Sequence, residues 1–214
     1  MADDDKGKAI LENAYELSTP EDNRAYYREF AKTYDGDFAE ALGFVYPAAI
    51  AGIYKEIAQA EDTPVADIGC GTGLVAEALE LPRNDIDGMD ISAEMLLRAA
   101  GKSLYQRTFE IDLTGDLSAI TNDYGAVLSS GTFTHGHLGP EVLASLLQIG
   151  RSGALFVIGV NREHFSNLGF KKTLGALAED GKISKPDLRE IRMYDKEGHD
   201  HSGDVAIAVC YRKV

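Results

Sequence analysis

Apolar positions change their rhythm along this chain, and the change divides it. From about Lys8 to Ala60 they recur at helical spacing. Thr19-Pro20-Glu21-Asp22 is a helix start, with a capping hydroxyl, a proline in the first turn and an acid three residues after the cap. Asp35-Gly36 and Tyr46-Pro47 interrupt the helical pattern. From Pro64 onward, short apolar runs alternate with amphipathic ones. PVADIG predicts a first strand and LVAEALEL a helix. DIDGMD predicts a second strand, and Ser92 caps a helix AEMLLRAA that ends near Gly101. YQRTFEID, GAVLSS and ALFVIGV predict strands three to five, with a helix EVLASLLQI opened by Pro140 before the last of them. REHFSNLGFKKTLGALAED is one amphipathic helical segment. DLREIRMYD and DVAIAVCYR, joined by the polar turn KEGHDHSG, alternate like the arms of a hairpin.

Repeated strand–helix units imply a parallel sheet covered on both faces. The expected fold is therefore α/β and doubly wound: a mostly parallel seven-stranded sheet, a C-terminal antiparallel hairpin and an N-terminal helical cap. The cap is assigned to residues 1–60 and the sheet domain to residues 61–214.

Composition narrows the function. With 44% hydrophobic residues among 214, the chain can bury a full core. No apolar run is long enough to span a bilayer. The start MADDDKGK lacks the apolar segment of a signal peptide, so a cytoplasmic protein is expected. A net charge of −14 opposes nucleic acid and anionic membrane as partners, since both need a basic face. Two cysteines build neither a disulfide framework nor a zinc site. Cys70 lies at a helix start, where it is either a small loop filler or a thiol of lowered pKa; Cys210 reads as core.

Ligands of open α/β sheets sit beyond the carboxyl ends of the strands, so the first strand–loop–helix carries the chemistry. A phosphate loop needs Gly-Lys-Ser/Thr, whereas Gly73 is followed by Leu74 and Val75. A dinucleotide fingerprint needs a small residue where Leu74 stands. The pattern present is acid-x-Gly-x-Gly-x-Gly: Asp67, Gly69, Gly71 and Gly73. Seventeen residues beyond Gly73, Asp90 ends the second strand. There it can accept hydrogen bonds from both hydroxyls of a ribose, with Ile91 beside it; Asp87 is the fallback if the strand is shifted.

The glycine pattern resembles motif I of the class I S-adenosylmethionine-dependent methyltransferases. YDGDFAEALGFVYP and SSGTFTHGH are similar to the methyltransferase-like proteins of the Williams–Beuren region group. The resemblance implies S-adenosylmethionine as cofactor, held by backbone of the glycine loop with Asp67 near its cationic end. It implies that Asp112 meets the adenine amino group and the Leu113 amide a ring nitrogen. Backbone near Ser130 and Gly131 would line the methionine end. The chain lacks Asn/Asp-Pro-Pro-aromatic, which opposes methylation of adenine or glutamine amides. It also lacks an acid at 129–131 to hold magnesium, so no metal is expected.

His135 and His137 are the candidate bases for a hydroxyl, thiol or ammonium acceptor, His135 preferred; both could equally serve only to shape their loop. The tyrosines Tyr26, Tyr27 and Tyr34 either pack the cap onto the sheet or close the pocket, where ring faces favour a sulfonium. Tyr27 and Tyr34 resemble lid positions. Arg162, His164 and Phe165 could face the acceptor, and His199-Asp200-His201 reads as a solvated turn. The expected activity is methyl transfer to a small molecule by a monomer or homodimer. A protein methyltransferase and a cofactor-binding protein without catalysis are the alternatives.

Overall fold

The computed structural model describes Arg28, Ala31 and residues 34–121, 123–134 and 136–214. The helix start at Thr19 and the residues Tyr26, Tyr27 and His135 lie outside the described residues.

Asp35 and Gly36 do not break a helix; they sit inside a π-helical segment, Tyr34–Glu40. Pro47 likewise opens a helix instead of ending one. It occupies the first turn of α1 (Tyr46–Ile57), where its missing N–H has no partner to lose. The alternating part follows as expected: β1 (Val65–Ile68), α2 (Leu74–Leu79), β2 (Ile86–Asp90), α3 (Ala93–Gly101) and β3 (Thr108–Glu110). Ser92 caps α3 through a hydrogen bond from the Met95 amide at 3.3 Å.

Several boundaries differ from those the sequence predicts. β3 stops at Glu110, so Asp112 lies in the loop beyond it. β4 runs from Tyr124 to Phe133, taking in half of SSGTFTHGH, with an irregularity between Ser129 and Phe133. β5 extends over Gly150–Asn161. Between these two strands the helix opened by Pro140 shrinks to a 3₁₀ turn and the short α4 (Leu143–Leu146). The long amphipathic segment splits into α5 (Arg162–Asn167) and α6 (Phe170–Glu179), because Gly169 takes φ +82° between them.

The sheet has seven strands in the order β3-β2-β1-β4-β5-β7-β6, where β6 is Asp187–Arg192 and β7 is Val205–Arg212. β1 to β5 pair in parallel; β7 runs antiparallel to both β5 and β6. The chain therefore steps outward from β1 to β3, then returns to place β4 on the other side of β1. That reversal opens a crevice at the carboxyl ends of β1 and β4.

Alternation along the strands builds two cores. Val65, Ala126, Leu128, Leu155 and Val157 pack with Leu42, Tyr46, Ile50, Val75 and Leu79 on one face. Ala66, Ile68, Val127, Phe156 and Ile158 pack with Leu143, Leu146, Phe170 and Leu174 on the other. One buried charge is neutralised within the sheet layer. Asp87 accepts two bonds from the Arg107 guanidinium, at 2.7 and 3.2 Å, and one from the Tyr124 hydroxyl at 2.7 Å. Asp87 is thus fully engaged in mid-strand and is not a ligand residue. At the chain's end Arg212 grips Asp62 bidentately at 2.8 and 2.9 Å.

Candidate functional site

The glycine loop is shaped by what a side chain could not do there. Gly69 has φ +64°, and a Cβ at that position would overlap the Thr132 side chain from β4. Gly73 has φ +94° and starts α2 against Leu104 and Tyr105. These are left-handed backbone positions, where a β-carbon is strained. The loop is held from two sides. Asp90 Oδ2 accepts from the Gly71 amide at 2.8 Å, while its Oδ1 accepts from the Ser92 amide at 2.8 Å. From the other side, the Thr72 hydroxyl donates to Asp35 Oδ1 at 2.5 Å.

Beyond the loop lies a cleft of about 230 Å³. Ile91, Met95, Ile111, Leu113 and Leu138 give it apolar surface, and Gly69, Gly71, Gly131 and Gly136 give it backbone. Its polar groups are Asp90, Asp112, Thr114, Ser130, Thr132 and His137, and Tyr34 lines it from the π-helical segment. The Ser130 hydroxyl is buried and meets no hydrogen-bond partner among the described residues. Asp112 Oδ1 holds the turn beyond β3 by accepting from the Thr114 amide at 2.9 Å and the Thr114 hydroxyl at 2.6 Å.

Of the residues singled out from sequence, Tyr34, Gly69, Gly71, Asp90, Ile91, Asp112, Leu113, Ser130, Gly131 and His137 converge on this cleft. Asp67, Cys70 and Gly73 do not line it. Asp67 is fully buried. Its Oδ2 accepts from the Tyr105 hydroxyl at 2.6 Å, and its Oδ1 meets no donor among the described residues. Burial pushes this carboxyl up to about 7, with the Asp90 charge adding to the rise and the Tyr105 bond opposing it. Burial also raises Asp90, against the three backbone amides that lower it. Cys70 is driven well above the usual thiol range by burial and by both carboxylates, so it fills space and is no activated nucleophile.

The segment after β4 folds back as a turn. His137 donates its amide to the Thr134 carbonyl at 3.1 Å, and Leu138 donates to the Thr132 carbonyl at 3.2 Å. His164, which could have faced the acceptor, points elsewhere. It is buried in α5, and its Nε2 bonds the Leu138 carbonyl at 2.9 Å, bracing this turn from behind. Phe165 stacks on Phe170 at 5.7 Å, and Arg162 pairs with Glu190 at 3.3 Å. The turn near 199–201 is less solvated than its composition suggests: His199 packs edge-on against Tyr194 at 5.1 Å, and His201 bonds Asp204 at 2.9 Å.

Met95, Thr132 and Leu138 escaped the sequence reading. Met95 had a signal, since it stands four residues after Ile91 in the first turn of α3; Thr132 and Leu138 reach the cleft only through the bulged end of β4. Among the described residues, no cluster of three metal-ligating side chains is present.

Comparison with known proteins agrees with this geometry. Residues 65–152 match the family described as a methyltransferase domain. Over that stretch the chain is similar to methyltransferases. The chain is 29% identical over 154 residues to human (Homo sapiens) methyltransferase-like protein 27, covering 71% of this chain and 62% of that protein. It is 30% identical over 107 residues to trans-aconitate 2-methyltransferase of Deinococcus radiodurans, covering 48% of this chain and 40% of that enzyme. The chain thus spans less than two thirds of the length of either relative. The fold is shared with a TehB-like S-adenosylmethionine-dependent methyltransferase from Corynebacterium glutamicum, at TM-score 0.60 and 19% identity over 89% of this chain and 99% of that one.

Proposed function

We propose that this chain methylates a small-molecule acceptor by in-line displacement, using the cleft between the glycine loop and the Thr132–Leu138 turn. The observation that carries the reading is the pairing of Asp90 with the glycine loop inside that cleft. Asp90 accepts the Gly71 amide on Oδ2 and the Ser92 amide on Oδ1, and a carboxylate has about four lone-pair sites, so it can accept hydroxyls as well. A ribose diol fits that pair of acceptors. The apolar surface from Ile91, Met95, Ile111 and Leu113 suits a flat heterocycle, with Asp112 at its rim and the Leu113 amide beside it. The unpartnered Ser130 hydroxyl and the backbone at Gly69, Gly71 and Gly131 suit the polar amino-acid end.

When bound, S-adenosylmethionine supplies an electrophilic methyl group on a sulfonium. The chain's own contribution is mostly positioning, and well-oriented reactants reach effective molarities of about 10⁵–10⁸ M. Tyr34 offers a ring face to the cationic region and helps to exclude water. Asp67 acts through the loop, adding negative character to that region when ionised. His137 takes the proton from the acceptor hydroxyl, thiol or ammonium. His135 and Tyr27, outside the described residues, are the neighbouring candidates for base and lid.

The test is transfer of labelled methyl from S-adenosylmethionine to a panel of small alcohols, thiols, amines and carboxylates, with peptides as a comparison. Labelling of one small-molecule class, lost in Asp90→Ala, supports the reading. Labelling of peptides alone would replace the small acceptor with a protein.

A further inference from the structure

The Thr72 hydroxyl is buried between two loop glycines, yet its partner is not in the loop, the sheet or the cleft. It is Asp35, on the π-helical segment Tyr34–Glu40. The second oxygen of Asp35 takes the Lys102 ammonium from just beyond α3 at 2.6 Å, and Lys102 also reaches Glu77 of α2 at 3.1 Å. One carboxylate therefore joins the N-terminal segment, the glycine loop and the α3 end. Its chain neighbour, Tyr34, lines the cleft and packs on Phe38 at 5.1 Å. Phe38 is anchored in the core, so the segment has a fixed heel at Phe38 and a toe at Tyr34.

We propose that Asp35 is a positioning residue that latches Tyr34 to the cofactor loop, so that the Tyr34 wall and the glycine loop form the binding cleft as one unit. This rests on the reading of the cleft as the S-adenosylmethionine site. Asp35 does not line the cleft and touches no ligand position; it acts through Thr72 on one side and Tyr34 on the other. Of its two bonds, the one to buried Thr72 dominates. The pair with Lys102 is partly exposed, with side-chain exposures of 23% and 37%, and screening weakens it.

The 214-residue sequence contains no tryptophan, so Tyr34→Trp places a single reporter at the cleft wall. In that background we would measure acrylamide quenching of the ligand-free protein, then S-adenosylhomocysteine affinity by calorimetry. The substitutions are Asp35→Ala, Thr72→Val, both together, and Thr72→Ser. The latch predicts that Asp35→Ala and Thr72→Val each raise quenching. Each also weakens the ligand about tenfold, the scale of one hydrogen bond to a charged group. The double variant should be no worse than the more damaging single one, and Thr72→Ser should restore both readouts. Unchanged quenching in Asp35→Ala, or additive losses in the double variant, would overturn the latch. If the Tyr34→Trp parent itself binds no S-adenosylhomocysteine while the wild type does, the ligand series moves to the Tyr34-containing background, where the same non-additivity decides. If the wild type binds none either, the cofactor reading of the cleft fails, whatever the quenching shows.

Discussion

Asp67 is a carboxyl group the fold holds against its own chemistry, and replacing it with its amide should stabilise the protein at neutral and higher pH. Folding raises its pKa from 3.8 to about 7, chiefly by burial. The charged form is thus the disfavoured one in the folded state. A carboxyl raised in this way binds its proton more tightly folded than unfolded, so its contribution to stability falls as pH rises through the window from about 4 to about 7. At about 1.4 kcal/mol per pH unit, the full penalty is roughly 4 kcal/mol, of which about 3 kcal/mol develops above pH 5. Asp67→Asn removes this titration and keeps the shape. Its amide oxygen can still accept from Tyr105, and its nitrogen takes the place of Oδ1, which already lacks a donor among the described residues. Urea unfolding of both proteins at pH 5, 6, 7 and 8, compared as midpoints at a common m-value, isolates this residue's contribution. The variant's advantage over the wild type should grow by about 3 kcal/mol between pH 5 and pH 8. A difference that does not change with pH, or a variant less stable at pH 8, would mean that Asp67 carries no such buried titration.

Other consequences follow from single contacts. Gly69→Ala forces φ +64° on a residue with a Cβ and drives it into Thr132, so it should lose at least about 1 kcal/mol in thermal unfolding and weaken S-adenosylhomocysteine in calorimetry. Asp62→Ala strips Arg212 of its bidentate partner and the Gln59 amide of its acceptor, and should lower stability by about 2 kcal/mol without changing ligand affinity. His137→Gln should lower kcat by about 10²-fold while leaving S-adenosylhomocysteine affinity near the wild-type value. An unchanged kcat would remove His137 from the chemistry.

Much of the fold was legible because its signals are local. Short apolar runs marked the parallel strands, alternation marked the hairpin arms, Ser92 marked the start of α3, and Asp67–Gly73 marked the strand-to-helix loop at the sheet's switch point. What stayed hidden depends on contacts between distant segments. Asp67 looked like a cleft residue from its place in the motif; in the structure it pairs with Tyr105, thirty-eight residues away, and does not line the cleft. His164 follows β5, where acceptor-facing residues are expected, but Asn161 caps α5 so that the ring turns inward to the Leu138 carbonyl. Asp35-Gly36 reads as a helix break, and the extra loop of π-helix that keeps it helical has no simple periodicity to announce it. The bulge that carries Thr132 to the glycine loop is likewise set by register with β5, not by the residues of β4 alone.

The central claim is that the glycine loop and Asp90 together hold an adenosyl ligand. Calorimetric titration of the full chain with S-adenosylmethionine, S-adenosylhomocysteine and NAD, repeated on Asp90→Ala, tests it most directly. Both adenosyl ligands should bind and NAD should not, and the variant should lose at least tenfold in affinity, the effect of removing a charged acceptor from two hydroxyls. Binding of NAD, or adenosyl affinity untouched by the loss of Asp90, would contradict it.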